Sequence, residues 1–305
     1  MRLLALALLV LPALGCGEAP PPVVELWFAG DVHLGGGGAD VLRPLGAAMA
    51  PALGVVNLEG PIDPRAPASG TLRGPGALRL LNGPATPPAL AAAGVVAAGL
   101  ANNHALDAGP EGQDLTIRSL QTAGVLAFGG PAGVATLERA GLRVALAGFE
   151  VERAGPDAIA AGLTRWRDAG EVLVVSLHTS GAPLYLPEPP LRAAADAALA
   201  AGASVVVAHG SHSLAGAERR GAAVVAWGLG NAAFACDCTD EVEGLALRVR
   251  HGAGGVEAAA LVPIDAGLGG APARGAADPD AVLDLLTAIG VAGRRGADRL
   301  ELTRE

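Results

Sequence analysis

Five of the six histidines in this chain close, or closely follow, a short apolar run, and that placement restricts the possible folds more than any other feature. VVELWFAGDVH ends in Asp31 and His33, GVVNLE ends in Asn57 and Glu59, and VVAAGLANNHALD carries Asn102, Asn103, His104 and Asp107. Further on, VLVVSLH ends in His178 and SVVVAHGSH carries His209 and His212, leaving only His251 outside the pattern. Short Val/Ala/Leu runs bounded by Gly, Asn and Pro read as buried strands. A strand that ends in a ligand residue delivers it to the crevice at the carboxyl edge of an open α/β sheet, where ligands bind. Neutral imidazoles with carboxylate and amide oxygens suit a divalent ion such as Zn, Mn, Fe or Mg rather than Cu(I) or an iron-sulfur centre.

Taken singly, each cluster has a plainer explanation. A lone histidine at a strand end is more often a surface or satisfied core residue, Asp31 after a glycine could be a turn residue, and Asn102 and Asn103 could be turn formers. Glu59, before Gly60-Pro61, could be a solvated loop charge. Five clusters with one placement, in a chain with so few histidines, point instead to a shared metal site.

The rest of the chain fits an α/β organisation. Strands are expected near 23–29, 54–57, 95–100, 142–148, 171–177, 204–208, 223–228 and 244–250, and helices near 86–93, 112–123, 189–201 and 279–290. Pro and Gly crowd 60–88, which reads as a loop-rich insertion at the rim of the site. Residues 266–277 read as a linker to a terminal helix within 278–305, whose charged end is expected to fray. Aromatic residues make up only 3% of the chain, so Ala, Val and Leu must fill the core. The net charge of −9 argues against a nucleic-acid partner, although it does not exclude an anionic substrate, because a bound metal reverses the local field.

Other chemistries are poorly supported. None of Ser176, Ser180, Ser211 or Ser213 sits in a G-x-S-x-G elbow. Gly35 to Gly38 lack the Gly-Lys-Ser/Thr ending of a phosphate loop and read as a flexible loop over the site. Cys236-x-Cys238 is spaced too closely for an easy disulfide and has no second pair for a zinc knuckle. At the amino terminus, MRLLALALLVLPALGC reads as a secretory signal over 1–16 whose Ala13-Leu14-Gly15-Cys16 resembles a bacterial lipobox. Cleavage there leaves a lipidated Cys16 on a Pro-rich tether, 17–24. The expected location is therefore the cell envelope, membrane-anchored by lipid.

The order AGDVHLGG, VVNLEGPI, GLANNHALDAGPEG, SLHTSGAPLYLPEP, AHGSHSLAGAE, AWGLGNAAFACD resembles the CapA family of poly-γ-glutamate capsule synthesis, within the calcineurin-like metallophosphatase superfamily. The resemblance implies a four-layer sandwich of two mixed β-sheets flanked by helices, over about 25–265, with a dinuclear metal centre. Carried over, it makes Asp31, His33, Asn103, His178, His209 and His212 metal ligands, with Glu59 or Asn57 as the bridging group. His104 and Asp107 become the catalytic candidates, His104 contacting a substrate oxygen or protonating a leaving group. The chain departs from the family's H-W-G-x-E-Y segment, where Thr179 replaces the tryptophan and the acidic residue before Tyr185 is lost, and from H-P-H-V-x-Q, where Ala215 replaces glutamine. Two functions follow: a metal-dependent hydrolase acting on a phosphoester or related anion, or a weakly catalytic factor that handles an anionic polymer with capsule-synthesis partners. A fold keeping only a structural metal is the third.

Overall fold

Alternation of side chains along the apolar runs sets the layers. In Val23–His33, Val24, Leu26 and Phe28 enter one core while Trp27 and Ala29 enter another. Val172–His178 does the same, with Val172 and Val174 on one side and Leu173 and Val175 on the other. Strands buried on both faces need continuous apolar sequence, which is why these runs show little polar alternation.

The computed structural model describes residues 21–38, 40–74, 77–166, 172–180 and 185–304. They form an 11-stranded and a 6-stranded mixed sheet, with a separate two-stranded hairpin. At the centre of the larger sheet, Val23–His33, Leu53–Leu58 and Val95–Gly99 run parallel. At the centre of the smaller, Leu142–Glu150, Val172–His178 and Val205–His209 run parallel. Antiparallel strands flank both sets, including Glu243–Gly252 beside Val23–His33 and Ala135–Arg139 beside Leu142–Glu150.

The two sheets face each other across a core of mainly Val and Leu. Helices Arg43–Met49, Thr86–Ala92 and Gly109–Thr122 cover the outer face of the larger sheet through Leu45, Met49, Leu90 and Leu120. Val151–Leu163 and Pro189–Ala200 cover the smaller through Ile159, Leu163, Leu191 and Ala194. The four-layer sandwich implied by the resemblance is therefore present. Pro279–Ala288 instead inserts Val282, Leu283 and Leu286 into the core between the sheets. No helix among the described residues is long and apolar enough to cross a membrane.

Several local expectations change. Val151–Leu163 is a helix outside the expected set, and it contains Gly155-Pro156, a pair that interrupts regular helix. The chain bends there, with Gly155 at φ 67, and resumes. The crowded 60–88 segment contains the hairpin Thr71–Gly74 with Ala77–Leu80. The segment 266–277, read as a linker, is stitched to the larger sheet by Gly267–Leu268 and Arg274–Gly275, with Ala273 buried. The tail expected to fray pairs as Gly293–Arg295 and Leu300–Leu302, burying Leu300 and Leu302.

Two loop readings are also corrected. Gly35 and Gly38 are buried, and the backbone of Gly35 to Gly36 is hydrogen-bonded to Gly83 and Pro67, so this is a packed turn rather than a flexible loop. Cys236 and Cys238 form a disulfide, because the turn between them sets their Cα atoms 5.2 Å apart, within the range a bridge requires. The signal and lipobox of 1–16 lie outside the described residues.

Candidate metal centre

Strand register gathers the histidines and carboxylates at one edge of the sandwich. In the larger sheet Asp31 pairs with Asn57 on one side and with Asn231 on the other, and Asn57 pairs with Gly99. In the smaller sheet His178 lies between Glu150 and His209. Both sets of parallel strands end here, so Glu59, Asn102 and His212 need only one to three further residues of loop to reach the same place.

Asp31 is fully buried and fixed at both oxygens. Its Oδ1 accepts from Nδ2 of Asn57 at 2.9 Å, and its Oδ2 accepts from the backbone N–H of Gly210 at 3.0 Å. Nδ1 of His209 lies 3.4 Å from Oδ1, and Nδ1 of His212 lies 3.2 Å from Oδ2. His212 holds φ 54, an unusual conformation for a residue with a side chain, of the kind that collects at functional sites. Gly210, at φ 93, brings its N–H to Asp31, and a Cβ there would sit 2.6 Å from Cε1 of His178 and collide with the carbonyl oxygen of Thr179. Gly210→Ala should therefore cost about 1–3 kcal/mol. A lowered thermal midpoint together with weaker metal retention would show it; an unchanged midpoint would contradict it.

Glu59 is the second buried carboxylate, and its surroundings differ. Its Oε1 is ringed by Nε2 of His178 at 3.8 Å, of His212 at 3.9 Å and of His104 at 4.0 Å, while its Oε2 is buried without a hydrogen-bond partner. These separations are too long for hydrogen bonds. They match two atoms ligating one ion, since bonds of about 2.0–2.2 Å to a shared centre leave ligands roughly 3–4 Å apart. Asp31, Glu59 and His178 each offer a ligand atom within 4.8 Å of the others. Both ring nitrogens of His178, Nδ1 of His33, Nδ1 of His209 and Oδ1 of Asn102 are likewise buried and unpaired. Buried polar atoms are normally satisfied, so this many orphans in one place fit a site built for cations. His33 directs Nε2 to the carbonyl of Leu81 at 3.1 Å, which leaves Nδ1 to accept.

His104 has a different setting. Its Nδ1 lies 2.7 Å from Oδ2 of Asp107, an oxygen that also accepts from the backbone N–H of Leu80 at 2.6 Å. Asp107 thereby fixes the ring and turns Nε2 towards Glu59. Asn57 is occupied by Asp31 and by Asn102, which donates to its Oδ1 at 3.2 Å, so among the two bridging candidates Glu59 has the free oxygen.

The structure brings together every residue singled out in the sequence except Asn103, which is exposed. Its neighbour Asn102 is the one turned inward. Three contributors were missed. Asn231 accepts at Oδ1 within 2.9 Å of His212 Nδ1, and the L-G-N segment was its signal. Phe234 packs its ring 5.2 Å from His33 and 4.9 Å from His212. Asn82 bonds the backbone of Leu34, Glu59 and Gly60 from within the rim segment, where no sequence pattern marks it. His251 is a buried residue outside the cluster, with Nε2 2.8 Å from Oγ of Ser204 and Nδ1 without a partner.

Protons compete with cations for this site. Burial alone would lower the pKa of His212, but the Asp31 carboxylate beside it, with Glu59 and Asn231, pushes it up to about 10. Burial alone would raise that of Asp31, yet His209 and His212 hold it well below the usual carboxylate range. The His212 contribution to metal-free stability is therefore full below about pH 6.5 and lost as pH rises towards 10, while that of Asp31 is present above about pH 4 and lost in stronger acid. At pH 7, metal uptake should release at least one proton per chain, and affinity should rise with pH. Calorimetry in buffers of different ionisation enthalpy reads this directly, and zero release would contradict it.

A family model described as bacterial capsule synthesis protein PGA_cap matches residues 25–235. No curated protein matches the sequence.

Proposed function

The chain belongs to the bacterial capsule synthesis protein family, and on that premise we propose that it is a cell-envelope hydrolase that uses two divalent ions to cleave a phosphoester or related anionic group. The calcineurin-like metallophosphatase superfamily is consistent with that membership. The observation that carries the proposal is Glu59, a buried carboxylate with one oxygen unpaired and the other ringed by three imidazole nitrogens beyond hydrogen-bond reach.

Asp31, His33, Glu59, His178, His209 and His212 would hold the ions, with the amide oxygen of Asn102. Bound there, two divalent ions such as Mn, Zn, Fe or Mg would supply an acidified water and a positive clamp on the oxygens of the group under attack. The chain's own residues do the rest. Asn57 and the Gly210 N–H keep Asp31 from rotating. His104 would deliver a proton from Nε2 to the leaving oxygen, with Asp107 supporting the imidazolium before transfer.

We place the protein outside the cytoplasm, tethered by a lipidated Cys16, on the strength of its amino-terminal sequence. Its partners there would be an anionic substrate and other components of capsule synthesis. The family description favours a second reading, in which the same cluster binds an anionic polymer such as poly-γ-glutamate and passes it on with little turnover. Elemental analysis of the chain after Cys16 should return about two ions, and aryl phosphate mono- and diesters should be turned over with added Mn or Zn. Two ions without turnover would move the assignment to the polymer reading. No bound metal after reconstitution would end the metal hydrolase.

A further inference from the structure

A cleft of about 340 Å³ opens beside the cluster, and we propose that it receives the uncharged organic part of the substrate whose anionic group lies at the metal-ligating residues. This rests on the hydrolase reading above. The cleft begins at Asn102, which bonds Asn57 and the backbone of Leu58 and keeps a buried, unpaired Oδ1. It extends to Glu150, the strand partner of His178. One ligand can therefore touch the cluster and fill the cleft together.

The lining says what that ligand is. Leu100, Leu106, Phe149 and Ala154 supply an apolar wall. Leu106, in the turn between His104 and Asp107, is 46% exposed and is among the few large apolar residues the fold leaves in solvent. A ring or chain in the cleft would cover it. A second anionic group is not matched, because the lining's cation, Arg153, is held by Glu150 at 3.1 Å. At Gly130, a Cβ would meet nothing nearer than 3.9 Å, so the space beside the wall is open.

The test compares methylphosphonate with 1-naphthylmethylphosphonate, two non-hydrolysable anions, by titration calorimetry on the Mn-loaded protein. The naphthyl compound should bind about tenfold tighter or more, the effect of burying roughly 60 Å² of apolar surface. Ala154→Phe, which fills the cleft, should remove that preference while leaving methylphosphonate affinity and metal content unchanged. Leu106→Ser, at a position 46% exposed, should reduce the preference severalfold with the thermal midpoint unchanged. Equal affinities in the unaltered protein, or a preference that survives both substitutions, would overturn the cleft assignment and leave the metal site standing. Failure of both phosphonates to bind would overturn the hydrolase reading, and the cleft assignment with it.

Discussion

Glu59→Gln should lose at least one metal ion and slow phosphoester turnover by on the order of 10³-fold. Glutamine keeps the volume and one oxygen of the original side chain but removes the negative charge facing His178, His212 and His104. A metal ion polarising a reacting group is worth several kcal/mol, and about 1.4 kcal/mol is a factor of ten, so losing one ion reaches that range. The fold should survive. The backbone of residue 59 stays held by its N–H to the carbonyl of Val32 at 2.8 Å and by Asn82 at its own carbonyl, contacts that the substitution does not alter. Unchanged circular dichroism with a fall from two ions to one or none is the expected result. Retention of two ions with near-normal turnover would remove Glu59 from the ligand set.

The strands and the cluster were legible in the sequence for one physical reason. Strands buried on both faces must be apolar throughout, so Val172–His178 and Val205–His209 stand out, and the polar residue that ends each run marks the sheet edge. What could not be read depends on long-range packing. The strand Gly255–Asp265 contains Pro263 and a run of alanines, and its pairing with Glu243–Gly252, Arg274–Gly275 and Leu300–Leu302 makes it a strand. Asn82 matters because folding brings it beneath Glu59, 23 residues away, and no local pattern records that. The choice between Asn102 and Asn103 is of the same kind. Adjacent residues in a turn differ in direction, and direction is set by Asn57 and Leu58, which receive the Asn102 amide.

His104→Ala should leave both metal ions bound and lower turnover by about 10²–10⁴-fold, the usual contribution of a positioned general acid. Its Nε2 is the most distant of the three imidazole nitrogens around Glu59, at 4.0 Å, and its Nδ1 is committed to Asp107, which suits a proton donor better than a ligand. The leaving group provides the sharper measurement. An alkoxide needs a proton as it departs, whereas a nitrophenolate does not, so the loss should be far larger for an alkyl phosphate than for a nitrophenyl phosphate. Asp107→Asn should show the same dependence at smaller size, because it removes the charge supporting the imidazolium while an amide oxygen can still accept from the Leu80 N–H. A residue that acted only by holding the fold would slow both esters equally, and that outcome would remove the proton-donor role from His104. Loss of metal with turnover retained would move His104 into the ligand set instead.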